Sequence, residues 1–362
     1  MTVTIPAESL SDFVRDIFAA AGCSAAESTR IGKYLVEANL TGHDSHGVIR
    51  VPRYLQMLRD KAIVADATVE VVVDTPVLAV VDGKYGFGQT VGPQAVQIGI
   101  GKCKKMGLAA IALRNAGHTG RTGDFAEMAA AEGLVSVHFV NARGSVLVAP
   151  YAGVDRRFST APYCVGIPRP GQPPLVLDFA TSIVAEGKVL VASQGGKKIP
   201  GDALIGPDGA PSADPHLLYG DYTPDGPRHH RQGKGAIRAF GEHKGSGLAF
   251  MCELLGGALT GNGATQDGQR FANGMFSFFV DPRVVDPSNF FDPEVARYTE
   301  AVKSSRPAAP GSDVLVPGEP EIRTRAQRTA DGVPLPDDTW ASIVGAARTA
   351  GLDERRIQQA TQ

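Results

Sequence analysis

Cysteine is sparse in this chain: four residues in 362, Cys23, Cys103, Cys164 and Cys252, with no CxxC pair among them. That spacing speaks against a disulfide scaffold, and reduced thiols are expected. Charge of either sign is not in excess, with 36 Lys and Arg against 38 Asp and Glu. Without a cationic surplus to neutralise phosphates, no nucleic-acid partner is expected. No apolar run approaches the roughly 18 to 20 residues that cross a bilayer as a helix. The opening stretch MTVTIPAESLSDFVRDIF has neither the basic start nor the unbroken apolar run of a signal peptide. A cytoplasmic protein without membrane contacts is the expectation. Three catalytic signatures are missing as well: the GxGxxG dinucleotide fingerprint, the HExxH zinc pair and the GxSxG nucleophile elbow. Gly99 and Gly101 begin like the first of these. Lys104 stands where its third glycine belongs, and the pattern around it is helical, so these glycines read as packing positions.

What is plentiful is glycine, 43 residues, or about 12% against a usual level of about 7%. Tight turns and close backbone approaches follow. The length predicts two domains. Helical spacing covers Leu10, Phe13, Val14, Ile17 and Phe18, with Ser9 or Ser11 as cap, and a second helix runs to about Leu40. Strands are expected at 69–73 and 77–81, a helix at 89–106, a buried strand at 108–113, a helix at 124–131 and a strand at 134–140. This alternation is α/β organisation. Strands at 162–167 and 175–178 and a helix at 182–194 come next. A long aperiodic excursion at 195–241 follows, then a helix at 244–259, a strand at 275–280 and helices at 293–304, 321–330 and 339–351. An excursion of that length is expected beside a functional site.

Reactive side chains concentrate in three places. In DSHGVIRVPRY (44–54), His46, Arg50 and Tyr54 are spaced to share one helical face, unless Pro52 bends the helix or the helix only starts near Ile49. An arginine grips a carboxylate with two parallel bonds, and a histidine exchanges protons near neutral pH. The plainer reading is a helix cap at Asp44 or Ser45 with solvated arginines. In RNAGHTGRTGD (114–124), His118 follows a strand end, where ligands bind in α/β sheets; otherwise it is a solvated turn histidine. In GEHKGSG (241–247), glycines and Lys244 open a helix in a manner that suits phosphates, or simply form an exposed helix entry. His43, His46, His229 and His230 match no recognised metal spacing, so no metal is expected.

Taken together, DSHGVIRVPRY (44–54), DGKYGFGQ (82–89), LDFAT (177–181), EHKGSGL (242–248) and VPGE (316–319) resemble the malate/L-lactate dehydrogenase family. This group is unrelated to the Rossmann-fold lactate dehydrogenases. It includes ureidoglycolate and sulfolactate dehydrogenases, diketogulonate reductase and cyclic imino acid reductases. The resemblance implies an α/β fold of two domains. A discontinuous helical and mixed substrate and dimerisation domain would take residues 1–119 and 286–362, and a non-Rossmann NAD(P)-binding domain residues 120–285. It implies hydride transfer between NAD or NADP and C2 of a small 2-hydroxy or 2-keto acid. The alternatives are a cyclic 2-imino acid reductase and a family member that binds a ligand without turnover. A homodimer acting on a small carboxylate is expected.

Carried over by position, His118 matches the proton acceptor and His46 a second candidate for the proton transfer. Ser45, Arg50, Tyr54 and Arg143 match substrate contacts. His118, Asn141, Ala142, Asp178, Phe179, Ala180, Lys244, Gly318 and Glu319 match cofactor contacts. Some positions depart from the family pattern. Arg121 follows the loop histidine, Ala142 stands where several members have serine, and STAP (159–162) replaces a usual GTNP. The segment 222–240, with Arg228, His229, His230 and Arg231, is longer than usual. These departures bear on substrate identity: the added cations suit a second anionic group, or simply form a solvated loop.

Overall fold

The computed structural model describes residues 2–195, 197–223 and 229–361; Arg228 lies outside the described residues. Three apolar cores organise them. The first gathers both ends of the chain. Strand Thr2–Ile5 pairs antiparallel with Val333–Pro336, and helices Ala7–Ala20, Ala25–Leu40, Val51–Arg59 and Asp337–Thr349 pack on Leu10, Phe13, Phe18, Ile31, Tyr54, Trp340 and Ile343. The strand pair escapes a period-2 reading because one partner holds two prolines in four residues. Ser9 and Ser11 are not caps. The first helix starts after Pro6, whose ring fixes φ, here −54°, with no side-chain cap. The second is capped by Ser24, whose hydroxyl accepts from the Glu27 amide at 3.2 Å.

The second core lies under a seven-stranded sheet. Its order is Glu70–Asp74, Leu78–Asp82, Leu108–Ala116, Ala272–Val280, Val135–Arg143, Pro162–Ile167 and Leu175–Ala180. Only Leu78–Asp82 and Leu108–Ala116 run parallel; every other pair is antiparallel. The sheet thus runs without a break across residue 119. Helices Gly88–Met106 and Gly123–Ala131 cover one face over Val81, Ile111, Leu113, Val140 and Phe279. On the other face, helix His243–Cys252 widens into a π-helical turn, Glu253–Leu259, that packs on the strands Val135–Arg143 and Ala272–Val280. Leu108 and Phe278 on that face remain exposed.

The third core replaces the expected aperiodic excursion. Leu204–Ile205, Pro211–Ser212 and Ala236–Arg238 join Val148–Ala149 in a four-stranded sheet. Strands of two or three residues are too short to show a period. Helix Glu186–Ser193 and the turn His216–Tyr219 close over Leu147, Val189, Leu204, Leu218, Tyr219 and Ile237. Arg156 fastens this unit by donating to the carbonyls of Gly235 (2.6 Å), Gly233 (2.8 Å), Leu218 (3.2 Å) and His230. The helix expected from 182 begins four residues later. Ser182 instead bridges to Ala239, and its hydroxyl donates to the Val184 carbonyl. Among the described residues, no helix is long and apolar enough to cross a membrane.

Glycine sets how closely helix Gly88–Met106 approaches the sheet. A Cβ on Gly99 would lie 2.4 Å from Phe279 Cε2, and one on Gly88 would lie 2.2 Å from the His118 carbonyl. A Cβ on Gly101 would meet nothing within 4 Å. The two glycines that imitate a nucleotide fingerprint therefore predict opposite effects. Gly99→Ala should destabilise by about 1–3 kcal/mol through overpacking. Gly101→Ala should stabilise by roughly 0.5–1 kcal/mol through helix propensity. Urea unfolding of the two variants checks this, and equal shifts would contradict the packing.

Candidate active site

The segment after helix Ala25–Leu40 does not continue as one helix. Two 3-10 turns, Asp44–His46 and Val48–Arg50, lead into Val51–Arg59, with Pro52 in the first turn of that helix, where proline is tolerated. Of the sequence alternatives, the late helix start is the one adopted. Asn39 staples the turn: its Oδ1 accepts from the Val48 amide at 2.8 Å, and its Nδ2 donates to Asp44 at 2.6 Å. A Cβ on Gly47 would lie 2.1 Å from that Oδ1, so only glycine fits.

His118 sits just beyond strand Leu108–Ala116, on the loop that Gly88 lets the neighbouring helix touch. The Thr119 amide donates to Asn273 Oδ1 at 2.9 Å, which ties this loop to strand Ala272–Val280. The imidazoles of His46 and His118 stack, with centroids 5.3 Å apart and planes 16° from parallel. Tyr54, buried against Phe18 and Phe87, brings its hydroxyl to 2.6 Å from His118 Nδ1. Arg50 donates from Nε to the Ser45 carbonyl at 2.6 Å, and its Nη1 lies 3.9 Å from Glu186. Tyr219 donates to that same carboxylate at 2.7 Å, so the third core holds the acid that faces the arginine.

This packing makes charged imidazoles costly. Burial, with the Arg50 guanidinium next in weight, pushes His118 down to about 3. Burial, the His118 ring and Arg50 hold His46 well below its ordinary value. Burial raises the Tyr54 phenol to about 12. Both rings are therefore neutral at pH 7 and able to take a proton. A carboxylate seated on Arg50 would cancel part of the charge that holds them down.

The structure brings Ser45, His46, Arg50, Tyr54 and His118 together. The other candidates fall on adjoining segments. Asn141 is spent internally: its amide donates to Glu253 (3.1 Å) and the Gly263 carbonyl (2.9 Å), and its oxygen accepts from Asn262. Ala142 donates its amide to Ser159 at 3.2 Å. The buried Glu253 carboxylate gathers the Ser159 and Thr265 amides and hydroxyls, and so fixes the end of that strand. Arg143 donates to the carbonyls of Asn262 (2.6 Å) and Arg270 (3.2 Å) and to the Tyr85 hydroxyl (3.0 Å). Its guanidinium is thus committed to the protein rather than projected into a cleft.

Asp178 accepts the Gly123 amide at 2.6 Å, and burial raises its carboxyl against the opposing pull of His43 and Arg121. Phe179 packs edge-on to Phe240, which leads into the helix carrying exposed Lys244. Gly318, at φ +92°, packs its turn against strand Leu175–Ala180, whose last residue is Ala180. Glu319 turns its carboxylate away, to Lys303 and the Val316 amide. Arg121 is almost wholly buried, between Asp124 (2.8 Å) and Glu127 (2.7 Å). It is structural charge behind His46 rather than a substrate cation. In the excursion, burial holds His230 below its ordinary value; Glu186 opposes this, while Arg156, the neighbouring Arg231 and exposed Arg53 add to it.

Sequence reasoning missed Gln89, Glu186, Asn273 and Glu253. Gln89 stood within a motif already singled out, DGKYGFGQ, and that was its only signal. The others reach the site from elements far away in the chain.

A family model described as malate/L-lactate dehydrogenase matches residues 5–344. Hydroxycarboxylate dehydrogenase B of Escherichia coli K12 is 36% identical over 356 residues, covering 97% of this chain and 96% of that one. The sulfolactate dehydrogenase structure from Methanocaldococcus jannaschii superposes with a TM-score of 0.82 at 27% identity, covering 99% of each chain. The delta1-piperideine-2-carboxylate reductase structure from Pseudomonas syringae pvar. tomato does so at 0.77 and 27%, covering 95% of this chain and all of that one.

Holding His118 neutral has a cost that depends on pH. In the unfolded chain the ring protonates near its ordinary value of 6.5, and in the fold only near 3. The unfolded state binds more protons across that window. The contribution is therefore complete above about 6.5 and is lost as pH falls toward 3. His118→Asn should lose less stability than the wild type when pH is lowered from about 7.5 to about 5. Denaturant midpoints at the two pH values check this, and parallel losses would contradict a depressed His118.

Proposed function

Because the chain belongs to the malate/L-lactate dehydrogenase family, we propose that it is an NAD(P)-dependent oxidoreductase. Its reaction moves a hydride between the nicotinamide and C2 of a small 2-hydroxy or 2-keto carboxylic acid. The observation that carries this reading is a pair of neutral, stacked imidazoles beside an arginine whose side chain is only partly committed to the protein. Proton exchange and a grip on a carboxylate are the two services such a reaction asks of the protein.

Arg50 is anchored through Nε, which leaves its terminal nitrogens for the substrate carboxylate in place of the loose contact with Glu186. His118 takes the hydroxyl proton in oxidation and returns it in reduction, with Tyr54 fixing its ring. His46 stacks behind it and keeps water from the ring face. Ser45 supports Arg50 through its carbonyl.

The donor set fits a nicotinamide nucleotide. His46 Nδ1 is buried with no partner among the described residues, and exposed Lys244 stands in the first turn of a ten-residue helix. Bound there, the nucleotide supplies the hydride donor or acceptor. Asn141, Ala142, Asp178, Phe179, Ala180, Lys244, Gly318 and Glu319 are assigned to hold it, within residues 120–285 and the 316–319 turn. Residues 1–119 and 286–362 are assigned to the substrate. Likeness to a piperideine-2-carboxylate reductase keeps a cyclic 2-imino acid as a second substrate class, with the same arginine and histidine in use.

We assign a homodimer to the sheet face that helix His243–Cys252 leaves open. Large apolar side chains exposed together mark an interaction surface. Here Leu108 and Phe278 on the strands are exposed, as are Phe250, Met251, Leu254 and Leu259 on the covering helix.

Kinetics with malate, lactate and piperideine-2-carboxylate, each with both nucleotides, test the reading. Arg50→Ala should lower kcat/KM on the order of 100-fold, mostly through KM. His118→Ala should lower kcat by roughly 100-fold or more with the substrate still bound. Full activity in His118→Ala would sink it. For assembly, light scattering should find a dimer in the wild type and a monomer in Leu254→Lys; a monomeric wild type would overturn the assignment.

A further inference from the structure

Three buried polar atoms have no partner among the described residues: His46 Nδ1, Gln89 Oε1 and Arg121 Nε. Native proteins rarely leave such atoms unpaired, and each one asks for a reason. Gln89 is 2% exposed and stands directly behind the bond between Tyr54 and His118. The phenol oxygen has three polar neighbours: His118 Nδ1 at 2.6 Å, Gln89 Nε2 at 3.0 Å and the His118 carbonyl at 3.5 Å.

Counting protons fixes what this arrangement does. A phenol has one proton to give. With the amide N–H donating to its oxygen, Tyr54 gives that proton to its nearest acceptor, Nδ1. A neutral ring that accepts at Nδ1 carries its own proton on Nε2, and then neither nitrogen has a lone pair for the substrate. Half a turn of the Gln89 amide reverses the pattern. Oε1 takes the phenol proton, the phenol oxygen accepts from Nδ1–H, and Nε2 is left open. The two ends of an amide are nearly equal in size, and Gly120 places no side chain against this one. In the first arrangement Nε2 also donates to the His118 carbonyl at 3.4 Å while Oε1 has no donor; in the second, Oε1 gains the phenol proton and that bond to the carbonyl is given up.

We propose that Gln89 is a positioning residue that, through Tyr54, selects the tautomer of His118: amide nitrogen on the phenol closes the ring to the substrate proton, and amide oxygen on the phenol opens it. This rests on the reading of His118 as the proton acceptor. In the open form the substrate O–H bond breaks and its proton bonds to Nε2. The Nδ1–H bond stays intact, and the hydride leaves C2 for an oxidised pyridine nucleotide.

The test is nitrogen NMR of the full-length protein labelled at its histidine rings, with the His118 signals identified by their loss in His118→Ala. The resting wild type should show the Nε2–H form. Gln89→Glu, which only accepts, should show the Nδ1–H form. Gln89→Met leaves the phenol proton with Nδ1, so it should stay in the Nε2–H form and oxidise hydroxy acid at least about tenfold more slowly than the Glu variant. Tyr54→Phe removes the donor and should mix the two forms, which keeps the test alive if the Glu variant does not fold. One tautomer common to all of these proteins would overturn the proposal. If the tautomer follows residue 89 while His118→Ala keeps full turnover, the catalytic reading falls and the control of the ring stands. If His118→Ala is dead and the tautomer ignores residue 89, the reverse holds.

Discussion

Two imidazole rings stacked 5.3 Å apart, shielded from water and set beside a guanidinium, do not both carry charge at neutral pH. Much of the site's construction serves to hold that arrangement. His46 is delivered by a turn that Asn39 pins and that only glycine at 47 permits. His118 is delivered by a strand end, a helix whose first residue must lack a side chain, and a hydrogen bond from the Thr119 amide to Asn273 on the neighbouring strand. Burial holds the rings neutral, and the Arg50 guanidinium adds to it. In the proposed reading, a substrate carboxylate on Arg50 would remove that added part and so tie binding to the readiness of the base.

The three cores meet around this pair. The terminal core contributes His46, Arg50 and Tyr54, the second core contributes His118 from beyond a strand end and Gln89 from helix Gly88–Met106, and the small third core contributes Glu186 with Tyr219 behind it. Glu186 gives Arg50 a weak partner, held at 3.9 Å, which the proposed substrate carboxylate would displace. Further back, Arg121 is enclosed by Asp124 and Glu127, and burial lifts Asp124 to about 7 despite the guanidinium. A charge so enclosed steadies the loop after His118 and is poorly placed to touch a ligand.

Much of this was legible in the sequence, where local pattern carries the information. The helices and long strands follow from periodicity. His118 stood out because it lies between glycines after a buried strand, and Gly99 was readable as packing from the helical pattern around it; Gly101, read the same way, instead faces open space. The third core was not legible, since its strands are two or three residues long and pair across distant parts of the chain. Nor were Glu186 and Asn273, which reach the site from 136 and 155 residues beyond Arg50 and His118 respectively, where neither spacing nor composition leaves a mark. Arg121 and Arg143 show the converse limit. Arg121 drew attention by its place after the loop histidine and Arg143 by the family resemblance, and each finds acceptors in the fold.

The pH dependence of kcat/KM for hydroxy acid oxidation tests the central claim most directly, because it reports the proton acceptor before the substrate binds. With His118 pushed down to about 3, kcat/KM should stay nearly level as pH falls from about 7.5 to about 5.5, whereas an ordinary histidine would lose roughly tenfold. A level profile that persists in Arg50→Met, because burial outweighs the guanidinium, is the result this account predicts. A wild-type profile that falls through a pKa near 6.5 would contradict it.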